Sequence, residues 1–156
     1  MTDHEQHELE ELARFLATAK AASYASDDPA RVRRMDDGGD EAGHEDGPFC
    51  HRDRWYGGAR FTGQELVWRE GRLAWTMNYV GATDPAAPPE FPHFHKRALR
   101  QVPPDAPFRG PAFYREDELT YVNDWTGDLA WFRGVERVFV GEREIYRLEY
   151  HGGTVG

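Results

Sequence analysis

Apolar residues recur at helical spacing near the start of the chain: Leu9, Leu12, Ala13, Leu16 and Ala19 fall on one stripe. This spacing predicts a helix over 3–22. Thr2 and Glu5 match a capping box, acids fill the first turns, and Arg14 and Lys20 lie toward the far end, as the backbone dipole prefers. The pattern then stops. Residues 25–48 hold one valine, one methionine and no aromatic, with Gly38-Gly39 among many acids. Such a stretch cannot offset its ordering entropy by burial, so a flexible acidic insert is expected.

From Phe49 the pattern turns to alternation. Residues 50–56 read as a strand, and 64–69 and 72–80 flank Glu70-Gly71 as a hairpin. The Pro-rich segment 85–92 ends pairing. Residues 92–102 read as a second helix, opened by Pro92 and stopped by Pro103-Pro104. Strands are then expected over 118–125, 128–140 and 143–150, with a tight turn at Gly141-Glu142.

Residues 61–81 align without a gap on 132–152, with seven identities in twenty-one positions. They include Phe61/Phe132, Gly63/Gly134, Glu65/Glu136 and Tyr79/Tyr150. A duplication follows, with repeat halves of about 1–84 and 85–156 in a single domain spanning 1–156. The order predicts an α+β fold from two α-β-β-β units. The expected architecture is a two-layer sandwich, a curved antiparallel sheet of about six strands with two helices on one face.

Composition narrows the partners. A net charge of −9 repels phosphate backbones and anionic lipid, so neither direct nucleic-acid nor membrane binding is expected. The apolar runs are too short for a bilayer span, and the acidic start lacks the charge pattern of an export signal. Cys50 is the sole cysteine, so no internal disulfide forms. A cytoplasmic protein is expected.

Candidate chemistry is sparse. No phosphate-binding loop, dinucleotide fingerprint or nucleophile elbow is present, and no cofactor is expected. Ser23, Ser26 and Cys50 are the small nucleophiles besides threonines. His93 and His95, two apart on a helix, point roughly opposite ways, and no acid or cysteine motif completes a metal set. Strand parity about the Glu70-Gly71 turn places Leu66, Trp68, Leu73, Trp75, Met77 and Tyr79 on the helix-covered face. Glu65, Val67, Ala74, Thr76 and Asn78 then share the other. Glu65 would stand opposite Thr76, whereas Glu136 would face Arg147. A carboxylate among Trp55, Tyr56 and Phe61 without a fixed cation should have a raised pKa. Glu65, with Tyr56, Thr76, Asn78 and Glu136, is therefore the candidate ligand-binding set, suited to a neutral or cationic small molecule.

The stretch Tyr56–Glu65, followed by Trp75–Gly81, resembles a bacterial family known only as a domain of unknown function. Arg109-Gly110-Pro111 and the closing Tyr150–Gly153 resemble it too. Some members of that family follow a helix-turn-helix of the phage-repressor type, which implies a sensor-like role; no such half is read in this chain. The leading expectation is a small-molecule-binding or sensor-type domain without catalysis. Two alternatives stay open. One is an enzyme using Glu65 as general acid or base; the other is a homodimerisation or protein-interaction module on the outer sheet face.

Overall fold

The computed structural model describes residues 1–23, 25 and 28–156. Two helices, α1 (Asp3–Ala22) and α2 (Phe91–Arg100), accompany nine strands. The strands are β1 (Val32–Arg34), β2 (Asp40–Asp46), β3 (Phe49–Gly57), β4 (Arg60–Arg69) and β5 (Arg72–Thr83). They continue as β6 (Phe113–Glu116), β7 (Leu119–Asp128), β8 (Trp131–Val140) and β9 (Arg143–Thr154). They form one open, antiparallel sheet in the order β1-β2-β3-β4-β5-β9-β8-β7-β6.

Helix α1 forms as its pattern predicts. Thr2 Oγ1 accepts from the Glu5 amide, and the Glu5 side chain accepts from the Thr2 amide. Its inward stripe buries Leu12, Phe15, Leu16 and Ala19; a fully buried Leu16 contributes about 1.5–3 kcal/mol. Lys20 lies on the same stripe and is fully buried. Helix α2 starts one residue before the expected range and ends two short of it, burying Phe91, Phe94, Ala98 and Leu99. Both helices meet side chains of β3, β4, β5, β7, β8 and β9 in a hydrophobic cluster. No helix among the described residues is long and apolar enough to cross a membrane.

The sheet has nine strands, not about six. Two of the additional ones fall in 25–48, where a flexible insert was expected; the part of that expectation on Ser26 and Asp27 lies outside the described residues. Cross-strand ion pairs account for the strands. Glu41 accepts from Arg33 (2.9 Å) and Arg54 (2.5 Å), Asp40 from Arg34 (3.2 Å), and Glu45 from Arg52 (2.9 Å). The acids are thus matched by arginines on β1 and β3, and Ala42 is buried. The third addition, β6, pairs with β7 at the other edge.

The Glu70-Gly71 hairpin is as expected, both residues having positive φ (50° and 78°), as a type I′ turn requires. The parity drawn from it does not hold. A bulge between Val67 and Trp68 shifts the β4–β5 register, so Glu65 pairs with Met77 and Leu66 with Thr76. A shift of one residue exchanges the faces of a strand. Glu65 and Val67 therefore lie on the helix-covered face with Trp75, Met77 and Tyr79, all buried. A second bulge, between Val138 and Phe139, sets Glu136 opposite Leu148 and not Arg147. Arg147 instead reaches exposed Glu149 at 3.1 Å.

Candidate functional site

Two glutamates on the inner face have no solvent exposure, and an isolated buried carboxylate is costly. Each is paired. His51 Nε2 on β3 lies 2.8 Å from Glu65 Oε1, and Lys20 Nζ on α1 stands 3.4 Å away. Burial alone would raise the Glu65 pKa; Lys20 and His51 outweigh it and hold the group at about 2. The raised value expected for an uncompensated Glu65 is thus corrected. Desolvation pulls the Lys20 ammonium the other way, below its ordinary value.

Glu136 is bound more tightly. Arg109 donates to both its oxygens at 3.0 Å, His95 Nε2 lies 3.0 Å from Oε1, and the Tyr146 hydroxyl donates at 2.7 Å. Tyr121 adds a further hydroxyl. Burial again pushes the carboxyl up, and Arg109 and His95 override it, holding Glu136 well below the usual carboxylate range.

Beside Glu65 sits a third acid. Asp53 on β3 is the register partner of Glu65 and is 3% exposed. Among the described residues only Tyr79 hydrogen-bonds its carboxyl, donating to Oδ1 at 2.7 Å. Among the described residues no cation pairs with it directly; Lys20 and His51 meet Glu65, and Arg109 and His95 meet Glu136. Burial, then the adjacent Glu65 charge, push the Asp53 carboxyl up to about 8. Of these two neighbouring acids Asp53 keeps the proton, since Glu65 holds the cations.

Asp53 lines a cavity of about 320 Å³ under α2, walled by Trp55, Phe61, Tyr79, Phe91 and Tyr146. His95, Lys96 and Arg109 complete its polar rim. A larger depression of about 850 Å³, about as open as the first, lies over residues of the outer face, including Thr62, Asn78, Thr126, Arg133 and His151. No comparable set of buried ionised groups converges there, so the smaller cavity is the stronger candidate site.

The five residues singled out from sequence separate. Glu65 and Glu136 belong to the buried network. Tyr56 is exposed and donates to Asp37 at 2.7 Å. Thr76 donates to the Glu65 carbonyl at 3.2 Å, and Asn78 accepts from Gln64 at 2.7 Å. None of these three lines the cavity beneath α2. Of the small nucleophiles, Ser23 donates to the Ala19 carbonyl at 2.7 Å and burial pushes the Cys50 thiol up; Ser26 lies outside the described residues. The residues missed were Lys20, His51, Asp53 and Arg109. A signal existed for Lys20, which continues the Leu12–Leu16 spacing, and for Asp53, which alternates with Phe49, His51 and Trp55.

Fold and site together define a mostly-sheet domain with two helices, carrying a buried ion-pair network beside an aromatic cavity. The chain belongs to the family described as Domain of unknown function (DUF5680), whose model matches residues 53–155. No curated protein and no solved structure matches the chain.

Proposed function

We propose that this domain binds a small molecule in the cavity beneath α2, without catalysing a reaction on it. One observation carries the reading: a carboxyl that is 3% exposed lines an aromatic cavity and has one oxygen without a hydrogen-bond partner among the described residues. A carboxyl oxygen open at a cavity wall is available to a ligand there. The cavity volume lies at the lower end of the ~300–1,000 Å³ range of ligand pockets. Beside a repressor-type helix-turn-helix, as the family resemblance implies, such a domain would act as the sensing half.

A finer account of the architecture accompanies this reading. The chain is read as a duplicated unit that folds into two layers, sheet below and helices above. In support, Gly63 lies under the Tyr79 ring and Gly134 under the Tyr150 ring, where an added Cβ would come within 2.2 Å of ring atoms. Strands β5 and β9, the last of each half, pair at the middle of the sheet with Tyr79 opposite Tyr150.

The experiment is a thermal-shift screen of neutral and cationic ring compounds against the wild type and Thr83→Trp. Thr83 is half-buried at the cavity wall, so the indole obstructs the cavity without entering the core. Compounds that raise the melting temperature of the wild type should fail on the variant. A ligand at a hundredfold its Kd stabilises by about 2.7 kcal/mol, enough to read clearly. Hits indifferent to the indole would overturn the site.

A further inference from the structure

Two aromatic boxes stand on the inner face, one on each side of the β5–β9 pair. In one, Trp125, Phe132 and Tyr150 surround Phe108, a ring delivered by the loop after α2. Its centroid stacks 4.2 Å from Phe132 and lies 6.3 Å from Trp125 and 6.4 Å from Tyr150. The other box is built from Trp55, Phe61 and Tyr79. The strand registers match: Trp55 pairs with Gly63 as Trp125 pairs with Gly134, and Phe61 with Gly81 as Phe132 with Gly152. Even the outer ring contact is shared, Phe61 on Tyr146 (6.1 Å) answering Phe132 on Trp75 (5.5 Å).

Two things differ. Where the second box has Phe108, no ring of the described residues fills the first, which opens on the cavity. Where the second has Asn123, accepting from Tyr150 at 2.8 Å and donating to the Gly110 carbonyl at 2.9 Å, the first has Asp53, accepting from Tyr79 alone among the described residues. A neutral amide therefore suffices for the tyrosine hydrogen bond, and a carboxyl at 53 is not needed for it.

Resting on the small-molecule reading above, we propose that the cavity takes a neutral, flat, ring-bearing molecule, seated on Phe61 as Phe108 is seated on Phe132, with a carbonyl-type acceptor turned to Asp53. The cavity is about twice the ~150 Å³ of an apolar cavity that accepts benzene, leaving room for a ring and a polar substituent.

The charges around Asp53 select a neutral guest. Glu65 faces it from β4, Tyr79 from β5 and Lys20 from α1; Arg109 comes from the loop after α2, and His51 from its own strand. His95 and Lys96 of α2 and Tyr146 of β9 line the same cavity. Among the described residues, Glu65 and Glu136 are matched with Lys20, His51 and Arg109, and neither a cation nor an anion in the cavity finds an uncommitted counter-charge at Asp53. At neutral pH the carboxyl, pushed up to about 8, is an O–H donor through the oxygen Tyr79 does not use. A ligand acceptor would receive that hydrogen bond.

The test uses benzamide, benzylammonium and benzoate as probes, with two-dimensional NMR of the full chain. Benzamide should shift the amides of Trp55, Gly57 and Gly58, which line the cavity. Its affinity should fall more than tenfold between about pH 6.5 and about pH 9.5, as the Asp53 proton is lost. Asp53→Asn, which reproduces the arrangement at Asn123, should keep benzamide binding and abolish the pH step. If benzylammonium or benzoate binds there in preference, the ligand class is wrong and the cavity remains a binding site. If none of the three shifts those amides, the ligand class and the small-molecule reading both fall.

Discussion

The two buried glutamates occupy matching places in the sheet and are held very differently. Glu136 receives a two-pronged guanidinium, an imidazole and two tyrosine hydroxyls. Glu65 receives an imidazole and an ammonium. The saturated half is also the filled one, with Phe108 packed into its aromatic box; the leaner half contains the cavity and the open carboxyl of Asp53. The contrast separates what the scaffold needs from what it does not. A buried glutamate, a tyrosine over a glycine, and a tryptophan and a phenylalanine at matching register positions stand on either side of the β5–β9 pair, whereas among the described residues the carboxyl at 53 and the space beside it have no counterpart across it.

The largest effect should follow from Glu136→Gln. It removes the Glu136 charge that Arg109, 5% exposed, holds at both oxygens, and removing one partner of a buried pair costs about 3–5 kcal/mol. Chemical denaturation should show that loss, or a chain that no longer folds. Glu65→Gln should cost somewhat less, about 3 kcal/mol, since Lys20 loses its counter-charge but keeps its hydrogen bond to the Phe108 carbonyl. Adding Lys20→Met should restore much of the loss. A Glu65→Gln variant as stable as the wild type would break the claim that this pair is structural, and would return Glu65 to the list of ligand contacts.

Acidity should sharpen the comparison further. The folded value of Glu65, about 2, lies below its ordinary 4.5, so the stability it contributes is present above pH 4.5 and lost as pH falls through 2. Asp53 runs the other way. Its folded value of about 8 exceeds its ordinary 3.8, so its contribution is complete below pH 3.8 and lost as pH rises through 8. Melting temperature followed against pH should therefore carry a declining component between about pH 4 and pH 8, and Asp53→Asn should remove it while leaving the acid limb in place.

The smallest effect is expected at Tyr56. Its hydroxyl meets Asp37 at the surface, and Tyr56→Phe should leave both the melting temperature and any ligand binding unchanged. A loss of binding would extend the site beyond the cavity.

Much of the scaffold was legible in the residues. Helix α1 announces itself by its stripe and capping box, and the β4–β5 turn by Glu70-Gly71, because both signals are local. The faces of β4 were misread because a bulge after Val67 leaves no mark in residue type, yet moves Glu65 from the outer face to the inner one. Strands β1 and β2 were missed for a related reason. Their acids look solvated until Arg52 and Arg54 of β3 are brought alongside. Arg109 sits in a Pro- and Gly-rich loop with no periodicity, so its place beside Glu136 follows only from tertiary packing.

The central claim is that Asp53 lines the cavity as a neutral carboxylic acid, ready to donate a hydrogen bond. Carbon-13 NMR of the side-chain carboxyl, assigned through Asp53→Asn and titrated across the pH range, reads that state directly. The account predicts a titration midpoint near 8. A midpoint near the ordinary 3.8 would mean a charged carboxylate at neutral pH, and would contradict it.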